Sequence, residues 1–589
     1  MNQAFIRDPE KGCWLHFARP RAVLQTVHLS DVVALLEEAD RLVRNDGLYA
    51  AGWISYEAAP AFDRALLTRR PTSLPLVCFG IFDPPSVLPS LPASTEPTAT
   101  APSWTPSVTR QEYDSAIASI REHLAAGDTY QVNYTLRLTS ALQGDPWAFF
   151  LRTCSDAPYS AYLESEPYAI CSASPELFFT LKGERIGSKP MKGTAARGRT
   201  LAEDGANARW LYESEKNRAE NVMIVDMIRN DLGRLACPGS VIVPRLYEIE
   251  KYPTVWQMTS TVEARTAADF PEILRALFPC ASITGAPKVK TMEIIASLET
   301  TPRSIYTGAI GFFGPGRLAR FNVAIRTTLI DTQKGWAEYG VGGGIVWDST
   351  AREEYEECLD KARIVLNPLP FRPFQLLETL LWTRDEGYFL QERHLERLRA
   401  SALYFDYPYD EQRIRKALAE AVHRLSAGSY RVRLLLAKEG TVECSAVLLD
   451  PPSKVPLKLR LAREPVDSRD PFLFHKTTRR DLYERAKAAF PKADDILLYN
   501  EAGKITESCI ANVVVLRRGR LVTPPLHCGL LDGVFRRELL ERDEISEEVV
   551  DFTTLEEAEK IFLINSVRKW WEAILDPKDL CRSFPCSAG

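Results

Sequence analysis

Lys192 stands in the run Lys189-Pro190-Met191-Lys192-Gly193-Thr194, an amine held between a proline and a glycine. An amine so placed is a candidate nucleophile, but a free lysine is almost fully protonated near neutral pH. The role therefore demands a lowered pKa or a base. Elsewhere Glu354, Glu357 and Lys361 are spaced to share one face of a predicted helix, and Glu220 is expected to open another. Alone, such glutamates are an ordinary solvated row. Arriving from two helices, they suit Mg²⁺, which keeps waters and takes the rest of its shell from substrate. Gly342-Gly343-Gly344 follows a predicted strand and offers backbone N–H groups to an anion. Arg326, on a predicted neighbouring strand, has the planar fork that holds a carboxylate through two hydrogen bonds. The chemistry these residue types suit is that of a metal-held carboxylate substrate.

The elements that must position these groups alternate between strand and helix. Tyr168–Ala173, Gly308–Phe313 and Phe321–Thr327 read as strands, and Glu220–Asp231 as a helix with Ile224, Met227 and Ile228 inward. Seven prolines between Asp83 and Ser107 mark a surface linker or loop. Three more within 367–373 end one helix and restart the chain. The predicted organisation is an N-terminal lobe at 1–84, a proline-rich stretch at 85–107, a catalytic domain at 108–367 and a second domain at 368–589. The predicted class is α/β (α+β), sheets with flanking helices in both halves. At 589 residues the chain is too long for one core. A net charge of −5 gives no footprint for nucleic acid, and no run is apolar enough for a membrane span. Twelve scattered cysteines without a C-x-x-C pair read as reduced thiols. With no secretory signal at the start, the expectation is a cytoplasmic enzyme.

Several motifs occur in order: Ser174-Pro175-Glu176, the Lys192 run, Arg218–Asp231, Ser282-Ile283-Thr284-Gly285-Ala286-Pro287-Lys288 and Gly340–Val346. Together they resemble the chorismate-utilising enzymes, strongly over about residues 110–367 and weakly through Gly52–Glu57. In that family anthranilate synthases carry alanine where this chain has Lys192, whereas aminodeoxychorismate synthase component I carries lysine and uses it covalently. The resemblance implies Mg²⁺ on Glu220 and Glu357 with Glu354 adjacent. It implies Tyr306, Arg326 and Gly342–Gly344 around the enolpyruvyl carboxylate, and Ser282 and Thr284 near the ring. Glu176 is the implied general acid and Lys192 the nucleophile. Gln257 stands where many relatives carry a histidine, and an amide cannot transfer a proton comparably.

The second half contains Glu392–Ala402, His475-Lys476-Thr477-Thr478-Arg479, Ile505–Asn512 and Gly529–Arg536. These resemble the fold-type IV pyridoxal-phosphate enzymes. The resemblance implies Lys476 as the Schiff-base lysine and Glu507 against the pyridine nitrogen. It places Arg397 on the phosphate, helped by backbone N–H groups at Val534–Phe535 and Asn565–Ser566. Members usually begin with a strand and a Gly-Asp-Gly segment. Here the motif starts directly at Phe374–Thr379, so that strand is absent or replaced by the first half.

The two resemblances together imply amination of chorismate followed by pyruvate elimination to 4-aminobenzoate, for folate. They also imply a homodimer through the pyridoxal half. No Gly-x-Cys-x-Gly glutaminase elbow is present, so a separate glutamine amidotransferase subunit is the expected ammonia source. Two alternatives stay open. One is an anthranilate- or isochorismate-type synthase fused to an aminotransferase of the D-amino-acid or branched-chain type. The other is a synthase with a non-catalytic C-terminal scaffold.

Overall fold

A computed structural model describes residues 1–94, 103–142, 144–155, 157–366, 374–451 and 455–580. The predicted break at 367–373 and part of the proline-rich stretch lie outside them. The chain divides into two compact units. One comprises Met1–Ala195 and Trp210–Phe371, the other Ala196–Arg209 and Arg372–Gly589.

The first unit is built on two 10-stranded sheets. Apolar residues of both sheets meet in one cluster, with Ile6, Phe17 and Leu329 from one sheet against Trp53, Phe82 and Phe312 from the other. Helices cover the outer faces. Val32–Asp46, Glu215–Gly233 and Phe270–Leu277 pack on one sheet; Arg110–Ala125, Lys288–Leu298 and Ala351–Leu366 pack on the other. Residues 3–88 are woven into this frame, because Gln3–Asp8 and Cys13–Ala18 join one sheet while Ala22–Thr26, Tyr49–Ile54 and Val77–Phe82 join the other.

Three local differences from the sequence reading matter to the site. Glu220 does not open its helix; Ser214 caps it, its hydroxyl accepting from Asn217 N, so Glu220 sits on the second turn. The single strand expected over Phe321–Thr327 is two, Leu318–Val323 in one sheet and Thr327–Asp331 in the other. The chain crosses between the sheets at 324–326, and Arg326 takes a left-handed backbone (φ 49°) at that crossing. The glycine run does not follow a strand but lies within Trp336–Ile345. Gly342, Gly343 and Gly344 pair with Thr135, Tyr134 and Asn133 of the strand Gln131–Ala141. On the other side, Thr327–Asp331 pairs only as far as Tyr339, so Gly340–Ile345 keep one edge without a strand.

The second unit has a 4-stranded sheet packed on helices Gln391–Phe405 and Glu411–Val422. It also has an 8-stranded sheet in which Ile505–Ser508 pairs with both Asp495–Tyr499 and Asn512–Arg517, closing part of the sheet on itself as a barrel. Residues 196–209 belong here. Arg197 grips Asp204 with two hydrogen bonds of 2.7 and 2.8 Å, and the Tyr404 hydroxyl donates to Gly198 O at 2.7 Å.

Candidate active sites

In the first unit Lys192 lies on the strand Met191–Ala196. The Asn221 amide clasps its backbone, donating to Lys192 O at 3.2 Å and accepting from the Ser260 hydroxyl at 2.5 Å. Asn221 follows Glu220 on the same helix, so one buried amide ties the lysine strand to the helix carrying a carboxylate. Burial lowers the Lys192 pKa, while Glu220, Glu357 and Glu176 pull it back up and Lys361 pushes it further down. The lysine tip reaches Gly344: a Cβ there would lie 2.6 Å from Lys192 Nζ and 2.7 Å from Gln131 Nε2.

The carboxylates are tuned apart. Glu176 is 4% exposed, and burial raises it to about 7 despite a 2.7 Å hydrogen bond from Ser282 and the charge of Lys192. Glu354 is raised by burial and accepts from Ser349 at 2.6 Å. Burial would raise Glu357 too, but Lys361, 2.7 Å away, outweighs it with help from Lys192 and Lys216 and holds it low. Lys361 also donates to Gly342 O at 2.7 Å, fixing the glycine strand to this helix.

Around them, Arg326 makes no ion pair or side-chain hydrogen bond among the described residues, which leaves its fork available. Tyr306 is buried under Arg137 at 5.0 Å and against Gly340, where a Cβ would come 2.1 Å from the ring. Thr284 turns its hydroxyl onto Ala281 O at 3.1 Å and Cys280 O at 3.3 Å, closing its own turn. Gln257 accepts from the Thr194 hydroxyl at 3.0 Å. One residue escaped the sequence reading. Gln131 is fully buried and neither end of its amide has a partner among the described residues, and like the Lys192 tip it lies beside Gly344. Within a strand that alternates polar and apolar residues nothing in its spacing signals chemistry; only the tertiary structure singles it out.

Among the described residues no three acidic, histidine or cysteine side chains converge as a metal-binding group. Glu220 and Glu357 nevertheless both act on Lys192, so the two carboxylates lie near one amine, with Lys361 paired to Glu357. Two carboxylates fit a Mg²⁺ ion that completes its shell from water and substrate, and such an ion would lower the Lys192 pKa further. Glu354, engaged by Ser349, stays a neighbour.

In the second unit Lys476 is held as its own sequence neighbours require. Leu377 N donates to Lys476 O and Thr478 N to Gln375 O, both at 2.9 Å. Burial, reinforced by Arg397 and Arg480, lowers the Lys476 amine to about 8 against the pull of Glu378 and Glu507. Glu507 is raised by burial to about 7 although Tyr483 OH donates to it at 2.8 Å and Leu531 N at 3.2 Å. A cation opposite it would restore its charge, which fits a pyridinium N–H.

Arg397 is engaged by Glu378 through two bonds, of 2.9 and 2.7 Å, and donates to Asp532 O at 3.0 Å. Burial alone would raise Glu378, yet Arg397 and His394 bring it to about 2. The guanidinium is thus fixed beside the helix Val534–Glu541, with N–H groups left over for a phosphate. Asn565 accepts from Val567 N and Arg568 N in its own turn and donates to Ile510 O at 3.2 Å, while Ser566 is buried. Glu378 and Tyr483 carried no assigned role in the sequence, because each acts through a residue distant in the chain.

Residues 2–367 match the family described as chorismate binding enzyme. The chain belongs to that family. Residues 375–573 match amino-transferase class IV, so the two families are fused in one chain. Aminodeoxychorismate synthase component 1 of Bacillus subtilis is 43% identical over 267 residues, 45% of this chain and 56% of that protein. The Klebsiella aerogenes protein of the same name is 40% identical over 323 residues, 53% of this chain and 70% of its own length. The chain thus spans about half to two thirds of these relatives. Anthranilate synthase component I of Streptococcus pneumoniae shares the fold, at 23% identity and TM-score 0.51, over 62% of this chain and 90% of that one. No described helix is long and apolar enough to cross a membrane.

Two outcomes follow from these geometries. Gly344→Ala sets a methyl against two flexible side-chain ends, so the fold should persist while the Lys192 tip shifts. Chorismate turnover should fall about 100-fold with the melting temperature unchanged, since a displacement near 1 Å is enough; parent-like turnover would show that the tip is not needed there. Lys476 with its pKa lowered to about 8 is neutral above that pH. Stopped-flow reconstitution of cofactor-free chain with pyridoxal phosphate should quicken as pH rises through about 8, and a rise centred near the ordinary lysine value of 10.5 would contradict the burial argument.

Proposed function

We propose that the chain converts chorismate and ammonia to 4-amino-4-deoxychorismate and then eliminates pyruvate to give 4-aminobenzoate. The observation that carries the first step is a buried lysine amine at the glycine strand, where anthranilate-type members of the family carry alanine. Arg326 and the unpaired edge of Gly340–Ile345 bind the enolpyruvyl carboxylate. Mg²⁺ on Glu220 and Glu357 would neutralise the ring carboxylate as electrons move toward it. Glu176, half-protonated near neutrality, gives its proton to the departing 4-hydroxyl, which leaves as water. Lys192 Nζ bonds to C2 as the C4–O bond breaks. Ammonia then bonds to C4, loses a proton, and expels the lysine from C2.

For the second step, pyridoxal phosphate supplies an electron sink for the amine substrate. Arg397 with the start of the helix Val534–Glu541 holds the phosphate, Glu507 the pyridine nitrogen. Lys476 moves the proton at the carbon bearing the amino group, and loss of pyruvate leaves an aromatic ring. Aromaticity draws the reaction forward. The ammonia source is a separate amidotransferase subunit, as the component 1 names of the relatives suggest.

With chorismate, Mg²⁺ and ammonium salt at raised pH, the pure chain should yield 4-aminobenzoate on chromatography, and glutamine should not replace ammonium. Anthranilate as the product would refute the reading, and efficient glutamine use would refute the separate subunit. The two lysines separate the steps. Lys192→Ala should fail to aminate chorismate yet convert supplied aminodeoxychorismate. Lys476→Ala should accumulate aminodeoxychorismate and lose the visible band of bound pyridoxal phosphate that borohydride abolishes. Mixed, the two variants should restore 4-aminobenzoate. Parent-rate 4-aminobenzoate from Lys192→Ala alone would remove the lysine from the chemistry.

A further inference from the structure

The Lys476 cleft is lined by Phe472, His475, Arg479, Arg480 and Tyr483. Its charges are unbalanced. Arg479 stacks over the Phe472 ring at 4.3 Å, and Arg480 over the Tyr483 ring at 4.5 Å. Arg480 also donates to Cys509 O. Neither guanidinium forms an ion pair with a described residue. Other arginines of this unit do: Arg393 with Glu538 and Glu541, Arg397 with Glu378, Arg460 with Asp579.

Arg479 acts on Asp470 and Arg480 on Glu507 through space, but neither carboxyl group forms an ion pair with them, and both accept hydrogen bonds from other groups. Glu507 accepts from Tyr483, Leu531 N and Asn512, and Asp470 accepts from Phe472 N at 2.9 Å. The two arginines are also well placed. Lys476–Thr478 is pinned to 375–377, Arg479 N donates to the Thr477 hydroxyl at 3.2 Å, and a helix starts at Asp481. Rigid backbone on both sides thus fixes two planar forks beside the reactive amine.

We propose that Arg479 and Arg480 recognise the two carboxylates of the amine substrate and select a dicarboxylate over an ordinary amino acid. This rests on the lyase reading above. A neutral amino acid brings one carboxylate and leaves one guanidinium unmatched; a ring carboxylate plus an enolpyruvyl carboxylate matches both. Stacking on Phe472 and Tyr483 leaves the guanidinium edges open for in-plane hydrogen bonds.

The test uses the full chain loaded with pyridoxal phosphate and supplied aminodeoxychorismate, with pyruvate release as the readout. Arg479→Ala and Arg480→Ala should each raise KM about 10-fold or more, the worth of a lost charge-assisted hydrogen bond, and change kcat less. The bound-cofactor absorbance should stay, and Lys at either position should recover part of the affinity. Isophthalate should inhibit the parent better than benzoate, and the alanine variants should lose that preference. Unchanged KM would overturn the proposal, and so would loss of the cofactor band, which would make the arginines cofactor ligands. A parent that releases no pyruvate overturns the lyase reading itself; a parent that does, with variants of unchanged KM, overturns only this inference.

Discussion

Desolvation of two lysine amines is the constraint on which both units depend. An ammonium in water is useless as a nucleophile, and removing water is what lowers its pKa. Yet each amine must stay within reach of a small molecule. In the first unit the answer is a strand edge: Lys192 is half-buried by its sheet and helix, and glycine opposite leaves the space its tip occupies. In the second unit the answer is a loop, with Lys476 clamped to the start of the strand Leu376–Thr383 of the 4-stranded sheet and a cleft in front.

Burial and ion pairing then set the behaviour of the glutamates that shift. Glu176, Glu354 and Glu507 are raised because their partners do not compensate for lost water. Glu357 and Glu378 are held low because a cation sits directly on each. One residue type thereby appears both with its pKa raised toward neutrality and as a firmly ionised partner of a cation. The difference lies in the distance to the next lysine or arginine, not in the glutamate.

Asn221, Lys361 and Arg397 do the joining. Asn221 links strand to helix under Lys192, Lys361 links the Glu357 helix to the glycine strand, and Arg397 links Glu378 to the carbonyl before Gly533. Each is a long or branched polar side chain at an internal seam, where a broken hydrogen bond would leave buried polar groups unmet.

The order of motifs and the types of the candidate residues were legible in the sequence: Lys192, Glu176, Glu357, Lys476 and Glu507 are chemically distinctive and sit in recognisable runs. The alternation of strand and helix was legible for the same reason, since burial on one face imposes its period on nearby residues. The strand break at Arg326, the glycines inside a strand rather than after one, Gln131 beside Gly344 and Glu378 on Arg397 were not. Each depends on which segment lies across a sheet or seam, often more than a hundred residues away, and local pattern carries no record of that pairing. By itself the sequence determined which chemical groups are present and in what order. Only the tertiary structure decided which are stripped of water and which are paired, because desolvation and ion pairing are properties of neighbours in space.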